Sequence, residues 1–458
     1  MIWRGARHPG LDGADTPPIA SPRASVNTIQ ALAGMLLLVA AAYLFSTNRR
    51  AVNWRTVLIG LAIQNGLFLL INYVPAVHHG VSAFGAGFAK VLSFAGDGAG
   101  FIFGDLAKPS GKLGFLFAFT VLPVIIFFSA FSALLYHFGI LQRVVAGLAW
   151  AMKRSMGISG PESVVAAANI FLGQTEAPLL VRPYIRHMTR SELACIMIAG
   201  MSTLSGGVLA AYVAFLGGSD AAEQARFATY LLTASCMNAA GAVVFCKIMF
   251  PETTPEALSS SKLQSSREKS EGNFVNAVVT GALDGMKMAA AVATILLAIV
   301  ALIALANFLV KDGLGELLGV NAAIQASTHG MFDGLTLQYL VGQVFRVFAF
   351  LMGIGWSETL GVGSLLGQKI VLNEFIAYMD LAKMKAAGTL SAPTVMISTF
   401  ALASFSNLSS VGICVAGIGA LAPERQQELA AIGMRALAAS ILAGFMTATA
   451  SGLWLSLF

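Results

Sequence analysis

Apolar residues run far enough to cross a bilayer at eight places, about 27–46, 56–74, 113–136, 192–216, 227–250, 283–310, 392–420 and 430–458. Roughly 20 such residues cross the hydrocarbon core as a helix, so the pattern predicts about eight transmembrane helices. Two further stretches, 157–190 and 353–383, are apolar but interrupted near their middles. Gln174, Thr175, Glu176 and Pro178 break the first, and Gln368, Lys369, Asn373 and Glu374 break the second. Irregular backbone persists at membrane depth only inside protein or beside a watery cavity. Both stretches therefore read as re-entrant helical hairpins. The predicted fold is an all-α polytopic membrane protein, with about eight spans plus the two hairpins.

The hairpins sit in a repeated frame. Residues 141–174 and 342–368 each carry an amphipathic helix, a Met-Gly-Ile turn, a Ser-Glu or Glu-Ser pair and then Leu-Gly-Gln. The turns are Met156-Gly157-Ile158 and Met352-Gly353-Ile354. Each unit is followed by a long span with a polar middle, at 202–207 and at 404–410. Basic residues cluster in alternate connections: Arg49, Arg50 and Arg55; Arg143, Lys153 and Arg154; Arg182, Arg186 and Arg190; Lys262, Arg267 and Lys269. The positive-inside rule makes that side cytoplasmic. It puts the N-terminus outside, the 251–275 loop inside and the C-terminus outside. The first hairpin then enters from the cytoplasm and the second from outside. Inverted repeats of discontinuous helices, with the site where they meet, are a common plan for secondary transporters.

Composition agrees with lipid as the main solvent. Of 458 residues, 57% are hydrophobic and 11% charged, against roughly 25% charged in soluble domains. Mean hydropathy is +0.77. The net charge of +6 is spread over short connections without a basic stripe, which argues against nucleic acid as a partner. Cys195, Cys236, Cys246 and Cys414 lie in apolar stretches without metal-ligand spacing and read as small buried hydrophobes. His78-His79 reads as a solvated loop pair. The glycine runs at 96–100 and 361–367 lack the preceding strand of a phosphate loop. Residues 1–26 are polar, rich in Gly, Pro and Ala, and read as a disordered tail rather than a signal peptide. An enzyme would need a nucleophile or metal cluster, and neither HExxH nor GxSxG occurs. A channel would need a ring-forming filter segment.

Carboxylates at membrane depth are expensive, so Glu176 and Glu374 are functional candidates. Gln174, Thr175 and Asn373 accompany them, and Asn169, Thr203, Asn407 and Ser410 lie on the elements around them. Many donors and acceptors with two carboxylates suit a neutral, polyhydroxylated solute. A fixed anion would call for central basic residues, and only Lys369 is near. Mutual pairing that holds helices together is a sufficient explanation for any single Ser or Thr. It explains less well two glutamates with amide neighbours at matching repeat positions.

These segments also carry a resemblance. GQTEAPL at 173–179 resembles the first-hairpin signature of concentrative nucleoside transporters, and GQKIVLNEFIAY at 367–378 resembles the second, with Ile376 where Val is usual. SFSNLSSVGI at 404–413 is similar to the broken span that follows. The likeness runs from about residue 100 to the end and includes 421–437; the first 100 residues match less specifically. It looks bacterial, which implies a multi-pass protein of the cell inner membrane. The resemblance implies nucleoside uptake by cation symport, with Gln174, Thr175 and Glu176 toward the nucleobase. It places Val208 and Phe405 against the nucleoside and Glu374, Asn407 and Ser410 on the ribose hydroxyls. Sodium would be held by Asn169 and Thr203 side chains and by backbone carbonyls of Asn169, Leu172 and Leu204. Thr203 stands where Ser is common. A homotrimer is also implied, centred on scaffold helices near 113–136 and 283–310, with the hairpins and their following spans moving as one body. The implied division is a tail 1–26, scaffold helices 27–136, a first transport repeat 137–250, a cytoplasmic loop and scaffold helix 251–334, and a second transport repeat 335–458. The nearest rival is a proton-driven symporter of the same fold, with Glu176 or Glu374 titrating.

Overall fold

A helix in lipid must satisfy its own backbone, including the donors at its N-terminus, and this sequence supplies the caps. Asn27, Asn53, Asp220 and Asn273 each accept from first-turn amides of the helix they precede. Ser159 with Glu162, and Thr189 with Glu192, form reciprocal capping boxes. The computed structural model describes residues 27–107, 116–218, 220–254 and 273–457. The expected tail at 1–26 and most of the 251–275 loop lie outside the described residues.

The described residues form helices and no strand. In order they are α1 (Thr28–Leu44), α2 (Trp54–Tyr73), α3 (Pro75–Phe103), α4 (Phe117–Thr120), α5 (Leu122–His137) and α6 (Ile140–Met156). Next come α7 (Gly160–Ala168), α8 (Arg182–Ile185), α9 (Arg190–Ser202), α10 (Gly206–Gly217), α11 (Ala221–Met249) and α12 (Phe274–Asn307). The chain ends with α13 (Asn321–Ser327), α14 (Leu337–Leu351), α15 (Trp356–Val371), α16 (Glu374–Ala386), α17 (Ala392–Leu402), α18 (Leu408–Leu421) and α19 (Gln426–Leu457).

All eight apolar runs are mainly helical in their described parts, with breaks at 203–205 and 403–407. Among the described residues, six stretches are long and apolar enough to cross a membrane: Trp54–Tyr73, Phe117–His137, Arg190–Gly217, Ala221–Met249, Phe274–Gly315 and Pro423–Leu457. The first run gives α1, of 17 residues. The run 392–420 is split into α17 and α18. Burial sorts these helices. Protein covers 94% of the Arg190–Gly217 window and 89% of Ala221–Met249, but only 22% of Phe117–His137 and of Phe274–Gly315. The first polar-middled span and the long helix α11 after it are thus enclosed, while α5 and α12 pair and turn apolar faces outward. Glycine sets the closeness of that pair: a Cβ on Gly285 would lie 2.8 Å from the Ile126 Cα. Small residues at such contacts let backbones approach where no hydrophobic drive exists between helices.

Helix α3 is one element the apolar pattern did not reveal. Its buried stripe is Gly85, Ala89, Leu92, Ala95 and Ala99, mostly small residues that dilute the hydropathy signal. It packs on α11, where Gly85 leaves room for Thr229, and on α5, where the Phe88 and Phe128 rings lie 5.1 Å apart.

Both interrupted stretches fold back on themselves. In the first, α7 ends at Ala168, residues 169–176 are turns, and a tight 3-10 turn spans Ala177–Val181 before α8. In the second, α15 and α16 meet at Leu372-Asn373, and Asn373 Oδ1 accepts from the Ile376 amide at 3.1 Å. The expected interruption at Gln368 and Lys369 is corrected. Both lie in the last turn of α15 and are buried. Gln and Lys are good helix formers, and the lysine finds its partners on α17 and the chain just after it, so the helix continues. The Met-Gly-Ile turns stop α6 and the turn after α14 with left-handed glycines, Gly157 at φ +66° and Gly353 at φ +90°. Helices α14 and α15 then meet at 118°. The order amphipathic helix, hairpin, broken span, long helix occurs twice: α6 to α11 and α14 to α19.

Candidate functional site

The two broken spans cross at their breaks. Helix α9 stops at Ser202 and α10 starts at Gly206; α17 stops at Leu402 and α18 starts at Leu408. Unwound backbone inside a membrane protein needs partners, and each break helps supply the other. The Phe405 amide donates to the Thr203 carbonyl at 3.4 Å. Ser406 Oγ donates to the Met201 carbonyl at 3.1 Å. Helix α11 braces the second break and the first hairpin, with Asn238 Nδ2 donating to the Ala403 carbonyl at 2.7 Å and Ser235 Oγ to the Ile170 carbonyl at 3.3 Å.

Glu374 opens α16 at this crossing and is 3% exposed. Its Oε1 accepts from the Tyr212 hydroxyl of α10 at 3.0 Å, and its Oε2 from Asn407 Nδ2 at 2.7 Å. Asn407 in turn caps α18: its Oδ1 accepts from the Ser410 amide at 2.9 Å and the Ser409 hydroxyl at 2.7 Å. One carboxylate thus joins the second hairpin, α10 and α18. Ser410 is buried beside this cap, Val208 is buried one turn before Tyr212, and Phe405 is half-buried. Tyr212 was not among the candidates. Its signal is a buried phenol in an apolar span, which needs a partner. It also stacks on Tyr378 at 4.2 Å.

The tip of the first hairpin lodges between α9 and α18. A Cβ on Gly200 would lie 2.9 Å from Gln174 Cβ, and one on Gly417 2.7 Å from Thr175 Cγ2. Gln174 is buried, and its Oε1 accepts from Cys414 Sγ at 3.3 Å. Glu176 and Thr175 are exposed. Glu176 Oε2 accepts from the Gly173 amide of its own turn at 3.2 Å. The two glutamates therefore differ: Glu374 is enclosed and held by other elements, and Glu176 is open.

The four cation candidates lie on the first hairpin and the first break, which meet where the Gly206 amide donates to the Phe171 carbonyl at 2.9 Å. Asn169 is fully buried, and neither its Oδ1 nor its Nδ2 has a hydrogen-bond partner. Thr203 is buried and donates its hydroxyl to the Ala199 carbonyl at 3.0 Å, which leaves its oxygen lone pairs free. No donor among the described residues reaches the carbonyls of Asn169, Leu172 or Leu204. The Ser205 hydroxyl, not a candidate in the sequence, is also buried without a partner. Buried polar atoms are almost always satisfied. A set of neutral oxygens with an orphaned amide fits a weakly charged cation such as sodium.

Three family models match in succession: "Na+ dependent nucleoside transporter N-terminus" over residues 33–106, "Nucleoside recognition" over 118–219, and "Na+ dependent nucleoside transporter C-terminus" over 230–452. The first extends the likeness into residues that matched less specifically by motif. The chain is 36% identical to the nucleoside permease NupC of Helicobacter pylori, over 94% of this chain and 99% of that protein. Its fold is similar to CNTnw in an inward-facing substrate-bound state, with a TM-score of 0.81, 38% identity, and 94% and 98% of the two chains covered. It is equally similar, at TM-score 0.81 and 37% identity over 94% and 98%, to a CNTnw variant in an outward-facing state.

Proposed function

The chain belongs to the Na+ dependent nucleoside transporter family, and from that membership we propose that it takes up nucleosides across the bacterial inner membrane by sodium symport. Matched relatives are transporters and permeases, so the enzyme alternative is set aside. The observation that carries the reading is the buried Glu374–Asn407 pair at the crossing of two broken spans, together with the unpartnered Asn169 of the first hairpin.

The ribose hydroxyls bind Glu374, Asn407 and Ser410. A carboxylate accepts from two vicinal hydroxyls by charge-assisted bonds. Gln174, Thr175 and Glu176 face the nucleobase, and Val208 and Phe405 supply apolar contact. Sodium is held by Asn169, Leu172, Thr203 and Leu204. Thr203 gives a physical route for coupling. Its hydroxyl oxygen is assigned to the cation, while its carbonyl accepts from the Phe405 amide. Fixing one break therefore helps fix the residue that packs on the nucleoside, a coupling that works in both directions. The hairpins and broken spans move together past α5 and α12, which form the centre of a homotrimer. Support for this motion comes from the inward- and outward-facing states of the similar CNTnw chains.

Uridine uptake should be competed by other nucleosides and poorly by uracil, because the free base lacks every proposed ribose contact. The check is competition of radiolabelled uridine uptake into proteoliposomes. Uracil competing as well as unlabelled uridine would contradict the ribose assignment.

A further inference from the structure

Helix α6 links α5 to the first hairpin, with left-handed glycines at both ends, Gly139 at φ +70° and Gly157 at φ +66°. Its buried stripe is Leu141, Val145, Ala149 and Met156. On the opposite side Arg143, Gly147, Trp150 and Arg154 recur at steps of four, three and four residues and so share one face. All four are exposed, Trp150 at 68%. Lys153 stands exposed on one flank of this stripe, and Ile140 and Val144 on the other. The start of α2 extends the patch. Thr56 Oγ donates to the Met156 carbonyl at 3.1 Å, which brings the exposed Arg55 to the last turn of α6.

Among the described residues, no ion pair or side-chain hydrogen bond engages Arg55, Arg143, Lys153 or Arg154. Neither element brings an acid of its own, since no Asp or Glu occurs at 16–96 or at 106–161. The matching helix of the second repeat, α14, also turns Leu340, Val344 and Val347 outward. Its one basic residue, Arg346, is engaged within the protein: Nη1 donates to Gln343 Oε1 at 3.0 Å, and the guanidinium lies 3.9 Å from the Trp356 ring. Both helices thus present apolar side chains, and only α6 presents unpaired cations. The charge pattern puts α6 on the cytoplasmic side. A helix with basic, aromatic and aliphatic residues on its open face suits the headgroup level of a bilayer.

We propose that Arg55, Arg143, Lys153 and Arg154 bind anionic phospholipid headgroups of the cytoplasmic leaflet, with Trp150 seated among them, and that this contact speeds transport. The basic groups take the phosphates by charge-assisted hydrogen bonds, and Ile140 and Val144 meet the upper acyl chain. The contact holds the link between α5 and the first hairpin at a fixed depth while the hairpin moves. The effect on rate rests on the nucleoside uptake proposed above; the lipid site does not.

The test titrates phosphatidylglycerol into protein held in neutral detergent and follows the melting temperature. The wild type should be stabilised, and less so at high salt. With Arg143→Gln, Lys153→Gln and Arg154→Gln combined, the same stabilisation should need roughly tenfold or more lipid. Equal responses of variant and wild type would overturn the proposal. So would equal stabilisation by phosphatidylcholine, or by inorganic phosphate, which would mark a soluble-anion site. Should the triple variant not fold, Arg143→Gln alone should show part of the loss, and an unchanged response there would overturn it as well. In liposomes, phosphatidylglycerol should raise the maximal rate of wild-type uridine uptake, leave KM in place and do little for the variant. A rate independent of phosphatidylglycerol would overturn the effect on transport. A wild type that carries no uridine would defeat the uptake reading instead, and the melting curves would still decide the lipid site.

Discussion

Glu374→Gln is expected to weaken nucleoside binding by roughly tenfold to a hundredfold, because hydrogen bonds to a charged group contribute about 1.5–3 kcal/mol. The local geometry says why the fold should survive. The glutamine oxygen can still accept from Asn407 Nδ2, whose own Oδ1 is committed to capping Ser410. The new amide group would then face Tyr212, whose hydroxyl can rotate to accept. What is lost is the anion: an amide offers hydrogens where the sugar also offers them. A 3′-deoxynucleoside should already bind the wild type weakly and should lose less than uridine on mutation. Calorimetry or uptake competition with both ligands and both proteins gives the double difference. Equal losses would mean that Glu374 does not touch the sugar.

Asn169→Ala is expected to raise the half-saturating sodium concentration by roughly tenfold or more, since each decade corresponds to about 1.4 kcal/mol of lost cation binding. Uridine affinity at saturating sodium should change much less. The orphaned amide adds a second signature. Neither polar atom of the Asn169 side chain has a hydrogen-bond partner among protein groups, so it carries the desolvation cost of a buried polar group unless a bound cation offsets it. Its removal should leave sodium-free thermal stability unchanged or raised, and should abolish most of the stabilisation that added sodium gives the wild type. Both are read from melting curves with and without sodium. A variant destabilised in sodium-free buffer yet still stabilised by sodium would place the cation elsewhere.

Much of the architecture was legible because lipid makes helices announce themselves. The eight apolar runs and the two hairpins follow from length, hydropathy and the cost of carboxylates at depth. Helix α3 escaped because its buried stripe is built from Gly and Ala, which contribute little hydropathy. Lys369 was placed in a break because a charge in an apolar run looks like an interruption. Its partners, 32 and 35 residues away, cannot be read from local pattern. The same holds for Lys247, which meets Glu162 across 85 residues and ties the start of the first hairpin to α11. Glu358, at the matching place in the second hairpin, instead accepts from the Ser391 amide and hydroxyl and the Thr394 hydroxyl at the start of α17.

The candidate site shows the same division. Glu374 was visible from its cost alone. Asn407 stood out as an amide in a broken span, but its double role, capping α18 while donating to Glu374, needed the fold. Tyr212 carried no motif. Asn169 stood out as an amide near the glutamates, but its cation role and the carbonyls around it came only through family resemblance, because a backbone oxygen has no sequence signature. Their physical support is the burial without partners seen at Asn169.

Purified protein in proteoliposomes, given sodium and proton gradients separately, puts the proposed mechanism to its most direct test. An inward sodium gradient alone should drive uridine above its external concentration, and dissipating that gradient should release it. Equal accumulation driven by a pH gradient in the absence of sodium would contradict the sodium-coupled mechanism and favour proton coupling.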